Sequence, residues 1–280
     1  MSTDQTVTSG LYAARMSGIN WLSVMNKVMQ NGGYSIIGIL FLLLAWWLGG
    51  WMIAQNPDIA SFADFAPEPA FARLVELTQN GAVIKAVVPS MERIGFGLLW
   101  AILIGVPVGV AIGLYASLRE ITHIPFQFLR MISPLAWMPI AVLAFATWDS
   151  AIVFLITIAA IWPILFSTAQ GVRRIDPLWF KVARNLGAGG FQMIRRIIMP
   201  AIGQDIFAGI RMAVGVAWIV LVPAEYLGVT SGLGYAINDA RDTLEYDSLA
   251  AMVVVIGLIG FLLDGICVKL IQKFSWRQQD

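Results

Sequence analysis

The stretch that decides the fold is residues 171–200, which read GVRRIDPLWFKVARNLGAGGFQMIRRIIMP. It lies between two apolar runs that are each long enough to cross a bilayer. Its charged side chains are Arg173, Arg174, Lys181, Arg184, Arg195 and Arg196 against the single carboxylate of Asp176. Because cytoplasmic loops of membrane proteins carry an excess of Lys and Arg, this stretch predicts a multi-span membrane protein with the loop in the cytoplasm.

The same stretch has a helical pattern. Leu178, Val182 and Leu186 recur at four-residue steps, and Pro177 stands at a first helical position. The run 186–190, LGAGG, then breaks the helix. We therefore predict a short helix, a glycine turn and a second short helix on the inner face of the membrane.

Composition excludes most other classes of protein. Hydrophobic residues make up 59% of the chain and charged residues only 12%, which no soluble domain of this length would show. One cysteine, Cys267, and one histidine, His123, leave no material for a disulfide within the chain, a metal site or a catalytic triad. The sequence shows no basic segment with interleaved aromatic residues, so nothing in it indicates nucleic-acid binding. The chain is expected not to be an enzyme by itself and to hold no cofactor.

Apolar runs predict an all-α membrane protein of six transmembrane helices. They lie at residues 34–54, 94–118, 126–147, 151–169, 203–222 and 249–272. The chain then divides into an N-terminal cytoplasmic or interfacial segment 1–32, a transmembrane domain 33–272 with its loop at 172–200, and a tail 273–280. Of the eighteen Lys and Arg residues, thirteen fall inside or at inner ends, which places both termini in the cytoplasm. Within the first segment, residues 11–30 suit an interfacial helix or a plain linker.

The second predicted span is rich in glycine, and the third contains two prolines. The second contains Gly95, Gly97, Gly105, Gly109 and Gly113, whose small size lets helices approach closely. The third is interrupted by Pro134 and Pro139, which predict a water-lined path or a tightly packed kink.

The loop 171–200 resembles the cytoplasmic loop of ABC importer permeases. That loop reads Glu-Ala-Ala, three residues, Gly, nine residues, Ile, one residue, Leu-Pro, and Ala183, Gly187, Ile197 and Pro200 fall at its spacing. In the family it docks into a groove of the ATP-hydrolysing subunit. The resemblance assigns ATPase coupling to Lys181, Ala183, Arg184, Asn185, Leu186, Gly187, Ala188, Ile197 and Pro200. Lys181, Val182 and Met199 depart from the motif, so the ion pair of the family's Glu is not carried over. The alternative is an ordinary basic inside loop.

A second stretch, residues 224–252, narrows the resemblance. It reads AEYLGVTSGLGYAINDARDTLEYDSLAAM and is similar to a Glu-x-x-Gly…Ser-Gly-Leu-Gly-Tyr stretch of permeases for sulfonates, taurine, cyanate, bicarbonate or nitrate. The cyanobacterial nitrate permeases are the most similar group. Glu225, Gly232 and Gly234 would form an outer turn or gate, with Glu225 paired to an arginine or capping backbone amides.

This resemblance implies a type I ABC importer architecture in the cell inner membrane. Two copies of the chain would form a homodimer around one pathway. Two ABC ATPase subunits, which hold the ATP and Mg, would dock inside, and an extracytoplasmic solute-binding protein would deliver the solute. The implied activity is ATP-driven import of nitrate, and of nitrite, by alternating access. Bicarbonate and cyanate remain alternatives.

The pathway itself is assigned to Arg211, Arg93, Trp218, Pro134 and Pro139. Charge inside a membrane is costly, so Arg211 either gives positive potential to an anion path or pairs with Asp205, Glu225 or Asp264. Trp218 either lines the cavity or packs.

A secondary anion transporter is the alternative of another class. It would place carboxylates at mid-membrane and show an inverted repeat, and neither occurs here. No GxxxxGK[ST] motif is present, so ATP chemistry would come from partner subunits.

Overall fold

The computed structural model of the chain describes the backbone of residues 21–275 and the side chains of residues 33–272. Every regular element in that part is helical. The α-helices are α1 Trp21–Gln55, α2 Pro67–Gln79, α3 Ala82–Leu114, α4 Ala116–Met131, α5 Met138–Ala144, α6 Trp148–Arg174, α7 Pro177–Asn185, α8 Gly190–Met193, α9 Met199–Ala201, α10 Gly203–Gly228, α11 Leu233–Asp242 and α12 Tyr246–Ser275. Two 3₁₀ turns, Ala60–Phe65 and Pro134–Trp137, and a π-helical turn, Ile194–Ile198, complete them.

Among the described residues, five helical segments are long and apolar enough to cross a membrane. They are Gly33–Gln55, Ala82–Leu114, Trp148–Arg174, Gly203–Gly228 and Tyr246–Gln272. The segments Ala116–Met131 and Pro134–Ala144 pass the same test together but are bent by 88°. Counting that pair as one span gives six, which agrees with the all-α, six-span prediction.

The predicted third span, 126–147, is not one straight helix. α4 ends at Met131, and Ile132 and Ser133 then take extended backbone conformations. A residue before proline is sterically disfavoured in the helical region, so Ser133 cannot continue the helix into Pro134. Pro139 lies in the first turn of α5, where a missing N–H costs nothing. The break therefore lies directly before Pro134, and Pro139 is accommodated within α5.

Two helices continue past the predicted boundaries and contain prolines. α3 begins at Ala82 rather than at residue 94, where the charge-free run starts, and it contains Pro89 and Pro107. α10 runs through Pro223 and ends at Gly228 rather than at Val222. A broken helix in hydrocarbon would leave several backbone groups unsatisfied, whereas a proline within a helix frees only one or two.

α6 forms the centre of the helical core. Ile152, Leu155 and Ile164 on this helix are fully buried. α3 packs against it so closely that a Cβ atom on Gly109 would lie 2.6 Å from the carbonyl oxygen of Leu165. Gly97, Gly105 and Gly113 make similarly close approaches to α6, whereas Gly95 has nothing within 4 Å. The predicted glycine packing is confirmed for four of the five positions.

Two ends of the core are defined by α6 and α10, which run antiparallel. At one end the indole of Trp148 lies against Gly228. At the other end Arg174 pairs with Asp205 at 3.1 Å. We call the first the network end, after the hydrogen-bonded side chains described in the next subsection, and the second the loop end.

The chain separates into two compact units, Met1–Glu68 and Pro69–Asp280. Within the first, the indole N–H of Trp46 donates to the carbonyl oxygen of Phe65 at 2.8 Å. The predicted segment 1–32 lies outside the described residues apart from the backbone of α1, which is helical from Trp21. The predicted tail 273–280 lies outside them apart from the last backbone turn of α12.

Candidate functional site

The loop after α6 has the predicted helix, turn and helix, and each local signal has a contact. The carboxylate of Asp176 caps α7 by accepting from the Leu178 N–H at 2.8 Å. At the other end Gly187 has φ +80°, a conformation that L side chains rarely adopt. The Gly187 N–H donates to Arg184 O and the Ala188 N–H to Ala183 O, both at 3.0 Å. These two bonds form a Schellman motif, which satisfies the last carbonyls of the helix.

α7 has one face packed on the core and one face open. Ala183 is buried, and Phe180 packs beside it against the cluster that contains Ile198 and Ile202. The open face exposes the large apolar side chains of Leu178, Trp179, Val182 and Leu186, with Phe191 on the following helix, alongside basic and polar residues of α7. Leu186 is 82% exposed and Phe191 73% exposed. Large apolar groups presented on an anchored helix are typical of a surface that binds another protein.

The coupling residues assigned from the sequence divide between these faces. Lys181, Arg184, Asn185, Leu186 and Gly187 are exposed, and Pro200 is exposed further along the loop. Ala183 is buried, whereas Ala188 and Ile197 are half-buried and pack against the same core cluster. The helical segment after the glycine turn continues from α8 into the π-helical turn Ile194–Ile198. Such a distortion is frequent at functional sites.

A cavity of about 910 Å³ opens behind the loop. Its walls include Trp179 of α7, Arg196 of the π-helical turn, and Gln204 and Asp205 at the start of α10. The loop therefore borders open space between the ends of α6 and α10.

At the network end, a buried ion pair joins α3 to α10. Arg93 is 4% exposed and Glu225 is fully buried, with Arg93 Nη1 and Glu225 Oε1 2.5 Å apart. Arg93 also donates to Asp149 at the start of α6, at 2.8 Å. The hydroxyl of Ser90 lies 2.8 Å and 2.9 Å from the two oxygens of Glu225. We call Ser90, Arg93, Asp149, Glu225 and Ser231 the buried network.

The same network holds the turn between α10 and α11. Ser231 accepts from Arg93 through its carbonyl and hydroxyl oxygens, which lie 2.9 Å and 2.8 Å from the guanidinium nitrogens. The Gly234 N–H donates to Glu225 Oε2 at 3.0 Å. A Cβ on Gly234 would lie 2.2 Å from the Val222 carbonyl oxygen, and one on Gly232, whose φ is +112°, would lie 2.5 Å from the Glu225 carboxyl carbon. The glycines are required by close backbone approach to α10 and its carboxylate.

Arg93, which the sequence assigned to the pathway, belongs to the buried network. Its guanidinium is buried and contacts Glu225, Asp149 and Ser231, and its pathway role stays a prediction. The prediction that Glu225 pairs with an arginine agrees with the contact. Sequence reasoning missed Ser90, although it stands one helical turn before Arg93 on the same face.

Arg211 forms a two-bond ion pair with Asp264 of α12. Its Nε lies 2.7 Å from Oδ1, and its Nη2 lies 2.9 Å from Oδ2. Their side chains are 45% and 53% exposed in this chain. Of the partners left open by the sequence, Asp264 is the one observed. An exposed ion pair within two spans is costly against lipid, so this surface is expected to face water or another chain.

The other assigned pathway residues lie in packed or turning positions. Trp218 is half-buried, packs against two core clusters and fills the space beside Gly260 of α12. Pro134 begins the 3₁₀ turn after the end of α4, and Pro139 lies in the first turn of α5. The pathway roles of the three residues stay predictions.

At the network end, Arg73 joins α2 to the beginning of α12 and the residue before it. Its Nε donates to the Ser248 hydroxyl at 2.9 Å, and its Nη2 lies 3.0 Å from Glu245. The hydrogen bond from Ser248 and the ion pair with Arg73 hold the pKa of Glu245 below its ordinary value. A lowered carboxyl pKa contributes stability above the ordinary value of 4.5, and that stability is lost as the pH falls through the lowered pKa.

Among the described residues no group of three or more His, Cys, Asp or Glu side chains is placed to hold a metal ion. The contacts described above define the candidate site as the exposed loop surface at one end of the core and the glycine turn held by the buried network at the other.

Comparison with known proteins gives a family match. Residues 95–276 match the model of the binding-protein-dependent transport system inner membrane component family. The bicarbonate transport system permease protein CmpB of Synechococcus elongatus is 39% identical over 179 residues, which cover 63% of this chain and 64% of that protein. The nitrate import permease protein NrtB of Leptolyngbya laminosa is 34% identical over 180 residues, covering 64% of each. The matched part thus spans slightly less than two thirds of these relatives.

Two further similarities extend over more of a known protein. The taurine transport system permease protein TauC of Escherichia coli is 30% identical over 233 residues, which cover 81% of this chain and 84% of TauC. Among solved structures, an inward-facing form of the MetNI methionine ABC transporter matches with a TM-score of 0.53 and 16% identity. That match covers 68% of this chain and 95% of the other, and it concerns the fold alone.

Proposed function

Because this chain belongs to the family of binding-protein-dependent transport system inner membrane components, we propose that it is the permease subunit of an ATP-driven ABC importer for small solutes. The observation that supports this most directly is the anchored helix α7. It exposes large apolar side chains and lies in a loop that has the residue spacing of the family's coupling loop. The sequence contains no GxxxxGK[ST] motif, so ATP and Mg would be held by two ATPase subunits.

The loop end is proposed to dock those ATPases. Ala183 and Phe180 fix α7 to the core, while Val182 and Leu186 face outward. A packed helix transmits a rigid displacement between subunits, whereas a loop without packing absorbs it. In this proposal the loop end lies in the cytoplasm and the chain in the inner membrane. An extracytoplasmic solute-binding protein would meet the network end.

A second copy of the chain is proposed to cover the exposed stripe of α10. This stripe includes Ala208, Arg211, Gly215, Ile219 and Leu227, which recur at helical spacing. Its small residues allow close approach, and its ion pair with Asp264 is expensive in lipid. A homodimer with a solute path between two such stripes would remove both the exposed apolar surface and the exposed charge from lipid.

For the solute, we propose a small inorganic anion, with nitrate, together with nitrite, as the first candidate. The Ser-Gly-Leu-Gly-Tyr run at 231–235 and the residues after it are the basis of this choice. Bicarbonate is a second candidate, because CmpB is 39% identical against 34% for NrtB over matched parts of similar length. Cyanate stays a candidate on the resemblance of residues 224–252 alone. Family membership argues against a secondary anion transporter.

ATPase activity of the reconstituted complex tests the function and the solute together. The complete chain is placed in lipid with its ATPase and receptor partners, and nitrate or bicarbonate is added in turn. We expect nitrate to stimulate ATP hydrolysis. Stimulation by bicarbonate alone would keep the importer and replace the solute, and failure to assemble with any ATPase would contradict the importer.

Replacing Arg211 by Gln is expected to slow ATP-driven uptake by at least about tenfold. The proposed reason is the loss of one charged contact between Arg211 and the transported anion, which is worth at least about 1.4 kcal/mol. Assembly with the ATPases should remain intact, which co-purification measures.

The double variant R211Q/D264N separates the pathway role from a structural pair. It removes both charges, so it restores packing without restoring the positive potential. We expect uptake by the double variant to stay slow. Normal uptake in the double variant would make Arg211 a structural partner of Asp264 only.

A further inference from the structure

A second cavity, of about 450 Å³, opens at the loop end between α3, α4 and α6. It is separate from the cavity behind the loop and shares only Arg174 with it. Its walls carry three arginines, one histidine and no carboxylate. The polar lining residues are Arg119, Thr122, His123, Gln170, Arg173 and Arg174.

One of the three arginines of this cavity is paired within the chain, since Arg174 lies 3.1 Å from Asp205. Arg119 and Arg173 also border the cavity. Neither has a carboxylate within salt-bridge distance among the described residues. Guanidinium groups bind the oxygens of phosphate in pairs, which makes them the preferred side chains for that anion.

The rest of the lining is apolar. Phe126 and Phe166 contribute aromatic walls, and Ile112 and Ala169 contribute aliphatic ones. A fourth arginine, Arg130, lies over the ring of Phe166 at 5.4 Å from its centre. A site with basic groups at its rim and apolar walls fits a ligand that is anionic at one end and hydrocarbon at the other.

The position of α4 indicates where such a ligand comes from. Its side away from the cavity exposes Ile121, Ile124, Phe128 and Met131, each between 66% and 75% exposed. The helix has sixteen residues, and an 88° bend separates it from the next segment. An exposed apolar face on the helix that begins this bent span, with basic groups on its other face, suits contact with lipid near the membrane surface.

We propose that this cavity binds the phosphate group of an anionic phospholipid, with Arg119 and Arg173 as its principal ligands. Basic pockets between membrane helices take anionic headgroups in this way, with the acyl chains against the apolar walls. The inference does not depend on which solute the chain transports.

Lipid titration of the purified complete chain in a neutral detergent tests the proposal. Phosphatidylglycerol is the probe, phosphatidylcholine is the neutral lipid, and bound lipid per chain is counted by native mass spectrometry. We expect saturable binding of phosphatidylglycerol and at least about tenfold weaker binding in R119Q/R173Q. The matched control R195Q/R196Q removes the same charge from the loop outside the cavity and is expected to bind as the unchanged chain does.

Four outcomes would contradict the proposal. Equal binding by R119Q/R173Q and the unchanged chain, or equal binding of the two lipids, would overturn the site. Displacement of the lipid by inorganic phosphate at lower concentration than the lipid itself would overturn the lipid as the source. If R119Q/R173Q does not accumulate, R119K/R173K carries the test, since lysine keeps the charge but not the paired contact. It is expected to bind phosphatidylglycerol about threefold more weakly, and unchanged binding by it would contradict the assigned ligands.

Discussion

Replacing Arg93 by Met is expected to lower the free energy of unfolding by about 3–5 kcal/mol, since it leaves a buried charge without a partner. Glu225 is fully buried, and Arg93 is the cation that faces it. Ser90 and the Gly234 N–H would remain as hydrogen-bond partners, but neither carries charge. Unfolding of the purified chain in mixed micelles by increasing dodecyl sulfate, followed by tryptophan fluorescence, measures the change.

Two controls separate pairing from mere loss of a side chain. The double variant R93M/E225M removes both charges and should recover most of the lost stability, because an apolar pair of similar volume replaces a buried ion pair at little cost. Arg241→Met removes an exposed arginine paired with Asp242 and should cost less than about 1 kcal/mol. A single variant R93M as stable as the unchanged chain would show that the buried network contributes nothing to folding.

Replacing Gly187 by Glu is expected to reduce ATP-driven uptake by at least about tenfold, the loss that removal of about 1.4 kcal/mol of docking energy produces. Gly187 has φ +80°, and a Cβ atom there would have nothing within 4 Å, so a bulky acid would project from the exposed loop surface. The change in conformation alone costs roughly 1–2 kcal/mol locally, and the chain should remain folded. Uptake and co-purification with the ATPases are measured in the same vesicles.

Matched variants distinguish the backbone turn from the surface. Gly187→Asn keeps a residue that tolerates the left-handed region and should retain most uptake. Gly189→Glu puts the same acid two residues away, at a glycine of ordinary φ with equally open space. We expect G187E to be more damaging than either. Unchanged uptake in G187E would contradict a docking role for the loop.

The loop shows why some of the site could be predicted. Its helix is specified by neighbours in the chain: Asp176 and Pro177 at the start, apolar residues at helical spacing, and Gly187 at the end. All of these act within a short stretch of chain, so their effect does not depend on the rest of the fold. Which face of α7 is buried was not evident from the pattern, because Ala183 and Leu186 are both apolar and only the core decides between them.

The helix boundaries show the limits of local rules. The predicted fifth span ended before Pro223 and the predicted third span was interrupted at Pro134, but in the structure only Pro134 follows a break in its helix. At Pro134 the preceding residue is extended, whereas Pro223 lies inside a continuous helix, as Pro89 does. The choice depends on the environment of the backbone, which local sequence does not contain.

The sequence alone could establish the membrane class, the all-helical fold and the family resemblance. It also predicted the short helix, glycine turn and second short helix of the loop. Hydrophobic length, charge bias, caps and glycines act locally, which is why these features could be predicted. The roles of the charges required the tertiary structure. Arg93 meets Glu225 across 132 residues and Arg211 meets Asp264 across 53. A charge in a membrane is stabilised by whichever opposite charge the packing brings within about 4 Å, and that distance is set by how helices pack rather than by their order in the chain.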